Sequence, residues 1–126
     1  MLFRSSDFRP ANAADRKLKK GVDDKALTHI ELVENPDILA TMGARKRAGQ
    51  VVVGFAAETD DVEANAREKL ARKNADLIVG NDVSEGKAFG ADDNQVLFVT
   101  ADTARALPLM SKTVLANAIL DEALAL

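Results

Sequence analysis

Three consecutive valines, Val51-Val52-Val53, stop at Gly54 and lead within a few residues into a charged, helix-periodic segment. A short continuous run of β-branched residues suits a strand buried on both faces, the habit of parallel sheets. Phe55-Ala56-Ala57-Glu58-Thr59 then leaves the strand end. A helix is expected from Asp60 or Asp61, where carboxylates meet the positive end of the helix dipole. At helical spacing Val62, Ala66 and Leu70 form its apolar stripe, and Lys69 and Lys73 run along the edge of that stripe.

Those two lysines differ from the other cations of the segment. Glu63 with Arg67, and Glu68 with Arg72, are i,i+4 ion pairs on the solvent side. Lys69 and Lys73 stand four apart from each other, a like-charge spacing that costs roughly a few tenths of a kcal/mol. Asn65 brings no charge to Lys69, and Asp76 could serve only Lys73. Spacing alone leaves two readings open. Either both ammonium groups form an anion site near a strand end, or both stems lie along the core edge with their heads in water. The first reading places both ammonium groups toward Phe55–Thr59 without carboxylate partners.

Composition removes several function classes. The 126 residues suffice for one domain, and a net charge of −3 gives no general attraction to nucleic acid or to an anionic membrane. Without cysteine there is no disulfide, thiolate ligation or thiol catalysis, and the single histidine, His29, cannot build a metal cluster alone. No apolar run approaches the roughly 20 residues of a membrane span, and no signal-peptide pattern opens the chain, so a cytoplasmic location is expected.

Before the valine run, Met1-Leu2-Phe3 is abruptly apolar and Ser6-Asp7-Phe8-Arg9-Pro10 reads as a turn or loop. Arg16-Lys17-Leu18-Lys19-Lys20 packs four cations into five positions, either a solvated surface or a site for something acidic. Ala26–Val33 alternates loosely and reads as a strand, with His29 at its surface. Asn35-Pro36-Asp37 reads as a helix start with Asn as N-cap, Pro at N1 and Asp at N2. Ile38, Leu39 and Met42 are the expected buried face of that helix, and Gly49 its close.

After the central unit, Asp76–Val79 is a second short strand running into the polar loop Asn81–Lys87. Asn94–Thr100 and Arg105–Leu109 are expected to pair as a hairpin across Ala101–Ala104, and Ser111 to cap a final helix. Strand and helix patterns alternate from residue 26 onward, which predicts a three-layer α/β arrangement with a mainly parallel sheet. Such sheets take ligands outside the carboxyl ends of their strands, where Phe55–Thr59 and Asn81–Lys87 both fall.

The common phosphate motifs are absent. Gly80–Ala88 has five residues between its glycines where a P-loop has about four, Ala88 replaces the hydroxyl residue, and no G-x-G-x-x-G occurs. The acidic pairs Asp60-Asp61 and Asp92-Asp93 are explained by helix starts and turns, and no strand end carries the acidic cluster of a receiver-like domain.

Collinear motifs nonetheless point to a family. Ser6-Asp7-Phe8-Arg9-Pro10, Lys17-Leu18-Lys19-Lys20, Asn35-Pro36-Asp37-Ile38, Gly54-Phe55-Ala56-Ala57-Glu58-Thr59, Lys69 with Arg72-Lys73-Asn74, Asp76-Leu77-Ile78-Val79 and Asn81-Asp82-Val83 occur in order. Together they resemble the C-terminal two-thirds of bacterial phosphopantothenate–cysteine ligase. The resemblance implies a Rossmann-like fold, helices on both faces of the sheet, with residues 1–24 as loop and lysine flap and 25–126 as α/β core. It also implies a two-step reaction. CTP, with Mg²⁺ accompanying the nucleotide, converts the carboxylate of 4′-phosphopantothenate to an acyl-cytidylate, and the amine of cysteine then displaces CMP. Carried over by motif, Asp7, Phe55, Lys69, Lys73 and the turn Pro36, Asp37, Ile38, Leu39 belong to the nucleotide site. Lys17 belongs to a mobile catalytic flap, and no protein residue is assigned to the metal.

Measured against that family, the chain lacks the first strand, a glycine-rich loop and an asparagine assigned to the intermediate, so the N-terminal part of the fold is expected to be missing. The expected states are a fragment, a truncated frame or one piece of a split enzyme whose missing half another chain supplies. The resemblance further implies a homodimer joined through residues 10–33, and weak nucleotide binding without turnover by this chain alone. The alternative is a nucleotide-binding or dimerisation module without catalysis, derived from the same ligase.

Overall fold

The computed structural model describes residues 6–83, 93–94 and 96–126. Met1-Leu2-Phe3, the end of the expected polar loop from Ser84, most of the P-loop-like stretch and Asp92 lie outside them. The chain separates into two compact units, residues 1–37 and 38–126.

In the first unit, strand β1 (Phe8–Pro10) pairs antiparallel with β2 (Leu32–Glu34), and a short helix α1 (Asp24–Thr28) lies between them in sequence. The strand expected over Ala26–Val33 is therefore corrected: its first three residues are helical and extended pairing begins only at Leu32. The loose alternation held too few apolar residues to outweigh the acidic helix start at Asp23-Asp24. No described residue of this unit is buried.

The second unit takes in only the end of the valine run: Val51 is exposed and Val52 precedes the strand, so the buried strand expected over Val51–Val53 is corrected. Strand β3 (Val53–Glu58), helix α3 (Val62–Lys73) and strand β4 (Leu77–Asp82) form a β-α-β unit whose strands are parallel, in register from Val53–Leu77 to Glu58–Asp82. β3 thus carries Phe55-Ala56-Ala57 inside the strand, where a strand-end turn was expected. β6 (Val96–Val99) then pairs antiparallel with β4, and β7 (Ala104–Ala106) antiparallel with β6, giving the order β3-β4-β6-β7. The expected mainly parallel sheet is corrected to a mixed one: two of its three pairings are antiparallel. Apolar runs mark buried strands whichever way a neighbour runs, so strand composition did not carry this information. β5 (Asp93–Asn94) pairs separately with β8 (Met110–Ser111), ahead of helix α4 (Lys112–Ala125).

Alternation along β4 divides the core. Ile78 packs with Ala56 of β3, Ala66 and Leu70 of α3, and Val99, so the predicted α3 stripe is the buried face. Leu77 and Val79 point the other way, into Val96, Phe98, Leu107 and Leu115 of α4. Ser111 caps α4 as expected, its hydroxyl accepting from the Val114 N–H. The Thr100–Thr103 turn closes the expected β6–β7 hairpin.

Helix α2 (Ile38–Arg45) corrects the sequence reading twice. It begins at Ile38, past the expected Asn35 cap. Its Ile38 and Met42 are 62% and 52% exposed, where a buried face was expected. Leu39 alone of the three packs inward, against Gly54, where a Cβ would come within 2.7 Å of both Leu39 and Ile78. The helix is buried at Gly43, at its crossing with the end of α3.

Candidate functional site

The lysine pair comes from α3, and the end of that helix is fixed by backbone geometry. Asn74 takes a left-handed conformation at the C-cap (φ 50°), and its N–H bonds the carbonyls of Leu70 and Ala71. Its side-chain amide donates to the Gly43 carbonyl at 2.9 Å. A Cβ on Gly43 would stand 1.9 Å from the Lys73 carbonyl oxygen, so the crossing admits only glycine. The turn after α3 is fixed by Asp76, which accepts from the Lys46 ammonium at 2.6 Å and from the Val52 N–H at 2.8 Å. Burial alone would raise the Asp76 carboxyl, but Lys46 and the Val52 N–H outweigh it and hold the carboxyl below its ordinary range.

Within this frame Glu63–Arg67 (2.9 Å) and Glu68–Arg72 (3.8 Å) form the expected solvent-side pairs. Lys69 and Lys73 are half-buried instead. The Lys69 ammonium donates to the Phe55 carbonyl at 2.8 Å and has no carboxylate partner among the described residues. Lys73 is not without a partner either.

The Phe55 carbonyl is available because of strand register. The carbonyls of Val52 and Glu58 accept from N–H groups on the β4 side (Leu77 and Val83), so alternation turns that of Phe55 away from β4. β3 is one of the two outer strands of the four, and Phe55 is 64% exposed. An ammonium has three donors, and the Phe55 oxygen uses one. A half-buried cation with spare donors at an open strand edge can take an anionic ligand, while alternation with Ala56 sets the exposed Phe55 ring on the sheet face opposite α3. The one nearby carboxylate with a described role, Glu58, is held by the Asn65 amide at 3.3 Å, off the lysine.

The first unit gathers a second set of candidates. Asn35, read from sequence as a helix cap, does something else: its amide donates to the Ser6 carbonyl at 2.8 Å and accepts from Arg9 at 2.9 Å. Its N–H bonds the Asp7 carbonyl at 2.7 Å. This cross-link ties the backbone of Asp7 to Asn35, the residue that precedes Pro36 and Asp37. Residue type marked Asn35 as polar and turn-forming, but no spacing rule would have assigned it these partners. Lys17 lies in a separate exposed loop, and His29 is exposed beyond the end of α1. Ile38 and Leu39 begin α2 in the second unit, Ile38 exposed and Leu39 packed against Gly54.

Comparison with known proteins places these features in a family. Residues 4–126 match the family described as DNA/pantothenate metabolism flavoprotein C-terminal domain. The chain is 47% identical over 116 residues to the coenzyme A biosynthesis bifunctional protein CoaBC of Vibrio cholerae, covering 91% of this chain and 29% of that protein. It is 48% identical over 123 residues to the CoaBC of Bacillus subtilis, covering 96% and 29%. Among solved structures, the crystal structure of the C-terminal domain of a CoaBC superposes with a TM-score of 0.68 at 34% identity, over 94% of this chain and 48% of that one. The chain thus spans under a third of the length of the curated relatives it matches.

Proposed function

Since the chain belongs to the DNA/pantothenate metabolism flavoprotein C-terminal domain family, we propose that it supplies part of a phosphopantothenate–cysteine ligase site in coenzyme A biosynthesis. The observation that carries this reading is the Lys69 ammonium on the outward Phe55 carbonyl, with no carboxylate partner among the described residues. In the proposed reaction a carboxylate oxygen of 4′-phosphopantothenate attacks the α-phosphorus of CTP and pyrophosphate leaves. The cysteine amine then attacks the acyl carbon, loses a proton, and CMP departs. Negative charge builds on the departing phosphates, so the protein's task is to position cations.

Lys69 answers that need at the Phe55 edge of β3, Lys73 is the second proposed cation one helical turn further along α3, and Phe55 is proposed to contact the nucleotide. Asp7, Pro36, Asp37, Ile38 and Leu39 complete the proposed nucleotide contacts, and Lys17 is the proposed flap cation. The described residues contain no group of three or more His, Cys, Asp or Glu able to hold a metal. Mg²⁺ is proposed as the companion of the nucleotide phosphates. No helix among the described residues is long and apolar enough to cross a membrane, which accords with a proposed cytoplasmic setting.

A second copy of the chain is part of the proposal. Residues 1–37 bury no described side chain, and a unit of that size without a disulfide usually needs further support to hold its shape, which a second copy would supply. The proposed dimer is joined through residues 10–33. Calorimetric titration of CTP with Mg²⁺ tests the nucleotide reading. Binding that weakens with salt and disappears in Lys69→Gln/Lys73→Gln supports it, and wild-type chain without affinity for CTP refutes it.

A further inference from the structure

The lysine loop has a latch. Asp23 occupies the N-cap position of α1, where an aspartate normally bonds the first N–H groups of its own helix. It makes no such bond. Its carboxylate turns back instead and accepts from the two terminal guanidinium nitrogens of Arg16, Nη2 at 2.6 and Nη1 at 2.9 Å, and from the Lys19 N–H at 2.8 Å. Arg16 also donates to the Lys17 carbonyl at 3.4 Å, so the ion pair is joined to the peptide of the flap lysine itself.

The rest of the loop closes on the same point. The Lys19 carbonyl accepts from the N–H groups of Val22 and Asp23, and Asp24 accepts from the Gly21 N–H at 2.6 Å. Gly21 turns the chain at φ +82°, a conformation that L side chains rarely adopt. Leu18 is only half-buried and Val22 is exposed, so polar contacts hold the loop shut in place of an apolar core. An isolated surface ion pair would hold it weakly. Here one carboxylate with 13% side-chain exposure takes three charge-assisted bonds, two of them in a bidentate fork. The fork also neutralises one of four cations crowded into five positions, lowering the repulsion that would spread the segment.

We propose that Asp23 is a positioning residue of the ligase site, closing residues 16–23 so that Lys17 is presented in one place to the nucleotide polyphosphate. The proposal rests on the ligase reading for its ligand, and on hydrogen bonds within the loop for the latch.

Two measurements on the full 126-residue chain test it separately. Amide exchange at Lys19, Val22 and Asp23 reads the latch without any ligand, and Asp23→Ala should speed it about tenfold or more. Asp23→Asn, which keeps one acceptor for the Lys19 N–H, should fall between. Unchanged exchange in Asp23→Ala overturns the latch. Titration with CTP and Mg²⁺ reads the consequence. Lys17→Gln and Asp23→Ala should weaken binding by the same factor, and the double variant no further, because Asp23 acts through Lys17. Additive losses overturn the positioning role. Wild-type chain without CTP affinity overturns the ligase reading and the role assigned to Lys17, while exchange still decides whether the loop is latched.

Discussion

At Gly43 a methyl group would overlap the Lys73 carbonyl, and backbone oxygen held in a helix end cannot swing aside. Gly43→Ala should therefore destabilise the chain by about 3 kcal/mol or more, the upper range for overpacking, read as a lower midpoint in urea denaturation. Asp76 makes a pH-dependent contribution. Its folded-state carboxyl is held below the ordinary range, so its stabilisation is fully present above the unfolded value of about 3.9 and is lost as pH falls through the lower folded value. Asp76→Asn should cost about 1 kcal/mol at neutral pH, because the pair with Lys46 is part-exposed, and the difference in melting temperature from wild type should vanish at low pH. A gap that persists unchanged into acid would assign the effect to packing. Neither residue carried a sequence signal of its role. Gly43 sits inside a helix, where glycine is merely tolerated, and the partners of Asp76 lie on segments that only the fold brings together.

At the scale of elements, α3 was the most legible part of the molecule, whereas β3 reads from sequence as a strand but is placed too early, over Val51–Val53. The spacing of Val62, Ala66 and Leu70 predicted the buried face of α3, and charge spacing predicted its two surface ion pairs. The β6–β7 hairpin and the Ser111 cap were also readable, because turns and caps depend on neighbours in sequence. The orientation of β6 against β4 was not, since the apolar pattern of a buried strand is the same whichever way its neighbour runs. α2 misled for a different reason: Ile38 and Met42 are apolar at helical spacing, yet both face outward. Within the site, Lys69 separates a structural cation from a binding one. The Phe55 carbonyl it meets lies at an exposed strand edge where water can replace it, so Lys69→Gln should change stability by less than about 0.5 kcal/mol. Nucleotide affinity should fall in the same variant, as read by calorimetry and thermal melting on one preparation. A large stability loss with unchanged affinity would make the contact structural.

For the whole molecule, the two units differ in what holds them. Residues 38–126 contain every buried side chain described, on both faces of one sheet. Residues 1–37 contain none, although Phe8, Val22, Leu27, Ile30 and Leu32 are all apolar and all exposed. Light scattering should accordingly give twice the 13.5 kDa chain mass, with cross-links between copies falling within residues 10–33. A monomer at high concentration would contradict that assembly. The nucleotide reading faces its most direct test in calorimetric titration of CTP with Mg²⁺ into the wild-type chain and Lys69→Gln/Lys73→Gln, each at low and at moderate salt. The predicted result is wild-type binding that weakens as salt rises and is absent in the double variant. Equal CTP affinity in both proteins, or none in the wild type, would contradict a nucleotide site built on the Phe55 edge.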